Sequence, residues 1–147
     1  MTDGSLDGRR APVTGGTAGA GAAIAERLRD AGATVVVTAR SKPEHHPDRE
    51  HFIAADTSTV EGAEAVVDAV VRDGGVDIPV HVVVGSHAPS GGFAALSDKH
   101  WTEEPNLNLL GAVRLDRGLI PGHRHRCSAD VPDGLAGRHP AGSTGRA

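Results

Sequence analysis

Residues Thr14 to Gly21 read TGGTAGAG, four glycines in eight positions directly ahead of an alanine-rich stretch with helical spacing. A turn of that composition between a strand and a helix leaves backbone amides bare and aims them, with the positive end of the helix dipole, at an anion. The anion such a loop serves best is the pyrophosphate of a dinucleotide. Gly15 then makes the turn, Gly19 lets the backbone approach the ligand, and Gly21 permits close helix-sheet packing. Thr14, Thr17 and Ala20 complete the candidate loop. The spacing, T-G-x-x-x-G-x-G, departs from G-x-G-x-x-G, and a glycine pattern alone also fits an ordinary turn. Its setting between a strand and a helix, with a second apolar strand behind, favours the dinucleotide.

That setting follows from two alternating periods. Arg9–Thr14 is a short strand candidate, and Gly19–Ala31 carries Ala20, Ala23, Ile24 and Leu28 at helical spacing before a stop at Gly32. Ala33–Arg40 is a continuous apolar run, as in a parallel strand buried on both faces. His51–Asp56 reads as a third strand. Ser58 to Glu61 form a capping box, opening a helix that buries Val60, Ala63, Val67, Val70 and Val71 and ends near Gly74 and Gly75. Val76–Gly85 is the fourth strand, and Ser97 or Asp98 caps a helix running past Trp101 to about Pro121. Strands alternating with helices predict an α/β fold: an incomplete Rossmann-type, doubly wound parallel sheet of about four strands with crossover helices. The expected domain is 1–121, with an irregular or disordered tail over 122–147.

The end of the second strand selects among dinucleotides. An acidic residue there holds a free ribose 2′-hydroxyl, whereas a cation suits a 2′-phosphate. The position holds Arg40, followed by Ser41 and Lys42, so NADP is expected, with NAD as the alternative. Arg40 read blandly is a solvated surface charge.

With TGGTAGAG, Asp56 after the third strand, and WTEEPNLNLLGAV, in which Asn108 follows Trp101, the chain resembles the short-chain dehydrogenase/reductase family over residues 7 to about 122. The resemblance implies an NAD(P)-dependent oxidoreductase. It assigns cofactor binding to Gly15, Gly19 and Gly21, adenine contact to Asp56 with Thr57 beside it, and support of a proton relay to Asn108. On the residues alone, Asp56 equally reads as a helix-capping loop residue, and Asn108 as a polar residue in a helix.

The sequence departs from that family in three places. His81–Val84, HVVV, stands where the family shows Asn-Asn-Ala-Gly, putting the β-branched Val84 at a glycine position. The family's catalytic Tyr has no counterpart, because the chain contains no tyrosine, and its only lysines, Lys42 and Lys99, lie upstream of where the Tyr-x-x-x-Lys motif would fall. Pro12, Pro79 and Pro105 fall inside expected elements, where a helix-interior proline costs roughly 3 kcal/mol. Beyond Gly122 the periodicity ends and Val131 and Leu135 are the only large aliphatics, which suggests a shifted reading frame.

Composition excludes other classes. A net charge of −4, without a basic stripe or an aromatic platform, argues against nucleic acid and anionic membranes. No apolar run approaches the roughly 20 residues needed to span a bilayer. The opening MTDGSLDGRR lacks a signal peptide's apolar core and Cys127 is the only cysteine, so a cytoplasmic protein is expected. His123, His125 and Cys127 are ligand types without a complete set, and no metal is expected. Two functional readings stand: a truncated cofactor-binding half of an oxidoreductase, inactive alone, or a non-catalytic dinucleotide-binding module or degenerate gene product. In either, the fourth strand offers an exposed edge for pairing with a second copy or a complete relative.

Overall fold

The computed structural model describes residues 5–44, 51–83 and 85–122. Four parallel strands, β1 (Arg10–Thr14), β2 (Thr34–Ala39), β3 (Phe52–Ala54) and β4 (Val80–His81), form one sheet in the order β3-β2-β1-β4. Helix α1 (Gly19–Asp30) joins β1 to β2, and α2 (Val60–Arg72) joins β3 to β4. After β4 come α3 (Asp98–Pro105), a π-helical turn over Asn106–Leu110 and α4 (Gly111–Leu119). The chain moves outward from β1 to β2 and β3, then returns to the other side of β1. The strand order therefore reverses between β1 and β4, where an open α/β sheet has a crevice at the carboxyl ends of its strands. The Rossmann-type expectation holds, and the expected tail from His123 onward lies outside the described residues.

Two apolar clusters build the core. Ala11, Val13, Val35 and Val37 pack with Ala25 of α1, and Ala63, Val66 and Val70 of α2 pack with Val76, Leu115 and Leu119. The expected helix faces are met in part: Ala63 and Val70 of α2 are buried with Val67 packed beside them, and Leu28 of α1 packs on the core. In α1 the buried residues are Gly21 and Ala25, while Ala20 and Ala23 are exposed and Ile24 sits at the boundary. In α2 Val66 is buried, whereas Val60 and Val71 are about half exposed. In α1 the side that approaches the sheet is marked by Gly21 and Ala25, small residues that an apolar count undervalues. The cap of α2 also shifts by one residue, because Thr59, not Ser58, accepts the Gly62 amide at 3.0 Å.

Each proline finds a tolerable place. The Asp77 and Ile78 amides bond the Arg10 carbonyl and the Val82 amide bonds that of Thr14, so Ile78, Val80 and Val82 face β1 and the nitrogen of Pro79 points away from it, to an edge that is open among the described residues. Pro12 is buried between β2 and β4, and the amide it lacks is one that would face β4. There the ladder is short: only Val80 and His81 pair with β1, rather than the whole Val76–Gly85 run. Pro105 closes α3, and the helix continues through the π-helical turn instead of breaking.

Because the nitrogen of Pro79 has no ladder partner to lose, Pro79→Leu is expected to change stability by less than about 1 kcal/mol. Leu115→Ala, at a core position 1% exposed, is expected to cost about 2–5 kcal/mol. Urea unfolding of the two variants checks the contrast, and equal losses would contradict this placement of the proline.

Candidate dinucleotide-binding cleft

The strand order places the ends of β1, β2, β3 and β4 around a cleft of about 480 Å³, a size suited to a small-molecule ligand. Gly15, Thr17, Ala18, Thr38 and Ala39 line it beneath the start of α1; Arg40, Ala55, Asp56 and Thr57 line the side of β2 and β3; Val82, Val83, Gly85, Ser86 and His87 line the side of β4, with Leu107 between.

The glycine loop is shaped by close approach. Gly15 has φ +65°, gives its amide to the Thr38 carbonyl at 2.9 Å, and would bring a Cβ to 3.0 Å from the Val82 carbonyl oxygen. Only glycine takes that conformation in that gap without strain. Gly21 faces the Gly15 carbonyl so closely that a Cβ there would overlap it. Gly19, at φ +52°, has open space where its side chain would be. Ala18 occupies the N-cap of α1 and supplies no side-chain acceptor, whereas α2 is capped by Thr59 and the Ser97 amide at the start of α3 is met by His100 Nδ1 at 3.1 Å. The first amides of α1 are thus left for an external acceptor.

Asp56 is partly buried, and its Oδ1 accepts from the Ser58 amide at 3.0 Å and the Ser58 hydroxyl at 2.7 Å. The hydroxyl bond holds the carboxyl below its ordinary range, burial opposes it, and the Ser58 amide and the positive charge of Arg40 add to the lowering. A group depressed in this way stabilises the folded chain above its unfolded pKa, and the contribution is lost as pH falls through the folded value. Asp56 is therefore anionic at neutral pH. Arg40 is exposed at the lip of the cleft and makes no hydrogen bond or salt bridge among the described residues.

Other candidates lie outside the cleft surface. Thr14 is buried beneath it, its hydroxyl bonding the Val80 carbonyl at 3.4 Å and the Val82 amide at 3.2 Å, so it seams β1 to β4. Ala20 is exposed on the first turn of α1, and Ser41 is exposed beyond the lip. Asn108 grips the rim: its Oδ1 accepts from the Gly85 amide at 3.0 Å, and its Nδ2 donates to the Gly85 carbonyl at 2.8 Å and the Glu104 carbonyl at 3.0 Å. Val84 lies outside the described residues, as do His123, His125 and Cys127, and no cluster of three or more potential metal ligands occurs among the described ones. No described helix is long and apolar enough to cross a membrane.

Sequence reasoning missed the β4 side of the cleft. Val82, Val83 and Gly85 read only as strand, and Ser86 and His87 drew no assignment. The usable signal was Gly85 itself, one position beyond the expected glycine, and Asn108 at the spacing that reaches it.

Residues 9–129 match the sequence pattern of the family described as short chain dehydrogenase. The chain belongs to that family. It is 30% identical over 125 residues to 3-oxoacyl-[acyl-carrier-protein] reductase FabG of Vibrio cholerae, covering 80% of this chain and 50% of the relative. Among solved structures, L-sorbose reductase from Gluconobacter frateurii, complexed with NADPH and L-sorbose, superimposes with a TM-score of 0.68 at 34% identity, covering 82% of this chain and 49% of that one. The NADH-dependent reductase A1-R′ complexed with NAD superimposes with a TM-score of 0.71 at 26% identity, covering 81% and 53%. This short-chain dehydrogenase sequence spans half or less of the curated relatives it matches.

Replacing Ser58 with alanine removes the hydroxyl that most lowers the Asp56 carboxyl. A carbon-detected NMR titration is expected to show Asp56 moving upward toward the ordinary carboxylate range, and an unchanged midpoint would contradict the assigned cause.

Proposed function

We infer that this chain is the nicotinamide-dinucleotide-binding half of a short-chain dehydrogenase, that it takes NADP in preference to NAD, and that its 147 residues alone do not carry out hydride transfer. The observation that carries the reading is the uncapped start of α1 above a glycine loop that leaves open space at Gly19. That cradle fits a pyrophosphate, with the exposed amides and the helix dipole supplying positive potential. Arg40 is poised for a 2′-phosphate and Asp56, anionic, for the amino group of adenine. Thr17, Ala20, Ser41 and Thr57 flank these groups. When bound, the dinucleotide supplies or accepts the hydride. The chain's own residues bind and orient it, and Asn108 fixes the rim at Gly85. The family's Tyr and Lys proton-transfer pair has no counterpart in these residues. Positioned proton transfer contributes about a hundred- to ten-thousandfold, so bound cofactor alone leaves turnover far below the family's.

Fluorescence titration is expected to show NADPH binding more tightly than NADH. Arg40→Ala should weaken NADPH by about ten- to a hundredfold, the scale of a charge-assisted hydrogen bond, and leave NADH nearly unchanged. Equal affinities, or a preference that survives Arg40→Ala, would overturn the NADP assignment. Measurable ketone-dependent NADPH oxidation by the purified chain, lost in Asn108→Ala, would overturn the claim of inactivity.

One observation favours the second reading, a non-catalytic module that pairs through its sheet. Among the described residues β4 lies at the edge of the sheet, only two residues long and partly exposed. Unpaired backbone groups at an edge recruit another strand, to the extent that the shortness of β4 and Pro79 do not blunt it. Light scattering across a concentration series is expected to show association that a charge at the edge, Pro79→Lys, suppresses; a monodisperse monomer at all concentrations would contradict it.

A further inference from the structure

The two sides of the cleft are loops that follow β3 and β4. The sheet holds their first residues, through the Ala55 amide on the Ala39 carbonyl and the Val82 amide on that of Thr14, and farther out both are held by one segment, the turn of helix around Pro105. On the β4 side, Glu104 Oε1 accepts the His87 amide at 2.7 Å and the Ser86 hydroxyl at 3.1 Å, and Asn108 grips Gly85 through both its amide and its carbonyl. On the β3 side, Asn106 Nδ2 donates to the Ser58 carbonyl at 3.0 Å. Arg114 reinforces that bond, giving Nη1 to the same carbonyl at 3.0 Å and Nη2 to Asn106 Oδ1 at 2.8 Å. Leu107, between the two asparagines, lines the cleft.

In a regular α-helix, residues two apart project about 200° from one another, so Asn106 and Asn108 leave on opposite sides. The π-helical turn over Asn106–Leu110 adds a residue to the ring, and Pro105 just before it cannot donate to the preceding turn. The Glu104 carbonyl takes its hydrogen bond from the Asn108 side chain. Glu104 and Asn108, four apart and on one side of the helix, therefore meet one loop while Asn106 meets the other, and the π-helical turn keeps that division.

We propose that the Glu104–Asn108 turn is a brace that sets the spacing between the two sides of the cleft, with Glu104 and Asn106 as positioning residues on opposite sides. The inference rests on the dinucleotide reading of the cleft. Under that reading the Asp56–Ser58 side meets the adenosine portion, and the Gly85–His87 side meets the remainder of the ligand. The two positioning residues therefore act on different parts of it. The Glu104 carboxyl is held below its ordinary range, chiefly by the His87 amide, so the β4-side bonds persist through neutral pH.

The test uses the full chain and two probes, NADPH and adenosine 2′,5′-bisphosphate. Asn106→Ala is expected to weaken both probes by about three- to tenfold, the scale of one hydrogen bond. Glu104→Ala is expected to weaken NADPH to the same extent and leave the bisphosphate unchanged, while Glu104→Gln, which keeps an acceptor oxygen, restores most of the loss. Melting temperatures of the variants should stay close to that of the unsubstituted chain. Unaltered affinities in both alanine variants would overturn the brace, as would equal loss of both probes accompanied by a large drop in melting temperature. Should the unsubstituted chain bind neither probe, the dinucleotide reading fails on its own. Amide exchange in the ligand-free protein then decides the brace. Selective acceleration at Gly85 and His87 in Glu104→Ala, and at Ser58 and Thr59 in Asn106→Ala, supports it, and no change overturns it.

Discussion

Three helices begin against the carbonyl oxygen of a strand-end loop, and at each contact the helix residue is a glycine. Gly21 of α1 meets the Gly15 carbonyl, Gly62 of α2 meets that of Asp56, and Gly111 of α4 meets that of Thr57. A Cβ at Gly21 or Gly62 would overlap the oxygen, and one at Gly111 would lie 2.9 Å from it. These approaches fix where the helices start relative to the strand ends, and so fix which backbone groups face the cleft. Cleft residues are reached through these contacts: Gly15 directly, Asp56 and Thr57 through α2 and α4. Backbone bareness is therefore a packing requirement at three helix starts, whereas Gly19 takes a positive φ with open space around it.

The two faces of the sheet are closed by different means. Against α1 the core is made of alanine and valine, with Ala25 and Gly21 letting the helix sit close. On the other face α2 and α4 bring Val66, Val70, Leu115 and Leu119 together, and Gly118 lies so near Val67 that a Cβ would come within 2.6 Å of its methyl group. Small residues set helix distance and large ones fill the volume that remains. This division explains what could be read from the sequence. Strands β1, β2 and β3, the helix stops at Gly32 and Gly74, and the glycine loop were legible because periodicity and positive φ leave direct marks. The buried face of α1 was not, because Gly21 and Ala25 carry the contact while Ala20, Ala23 and Ile24 carry the apolar signal; in α2 Ala63 and Val70 were legible, and Val60 and Val71 were counted inward although they are about half exposed.

Cleft residues divide along similar lines. Gly15, Arg40 and Asp56 could be found because each ends an apolar strand or follows it at a fixed offset. Ser58 read as a cap and instead serves Asp56, and Asn106 carried no signal, since its partners Ser58 and Arg114 are 48 and 8 residues away. Proline positions misled for a related reason. A proline is harmful only where its missing amide would have met an acceptor, and that depends on which neighbour the strand faces. Pro79 turns outward, and Pro105 precedes a π-helical turn in which the ordinary pairing is already altered.

His81 and Asp116 support the end of β4. His81 closes the strand, and its Nε2 shares a 2.9 Å hydrogen bond with Asp116 Oδ1 of α4. Its Nδ1 is buried without a partner, beside a cavity of about 50 Å³ that also touches Thr14, Thr57 and Asn108. That volume has room for a water, and its lining offers polar partners. His81 thus ties β4 to α4 through a carboxylate on the helix. The β4 side of the cleft is supported from two directions: by His81 and Asp116 at its base, and by Asn108 and Glu104 at its rim. Among the described residues, the shape of the β4 side of the cleft is thus held by side chains of the helix, Glu104, Asn108 and Asp116.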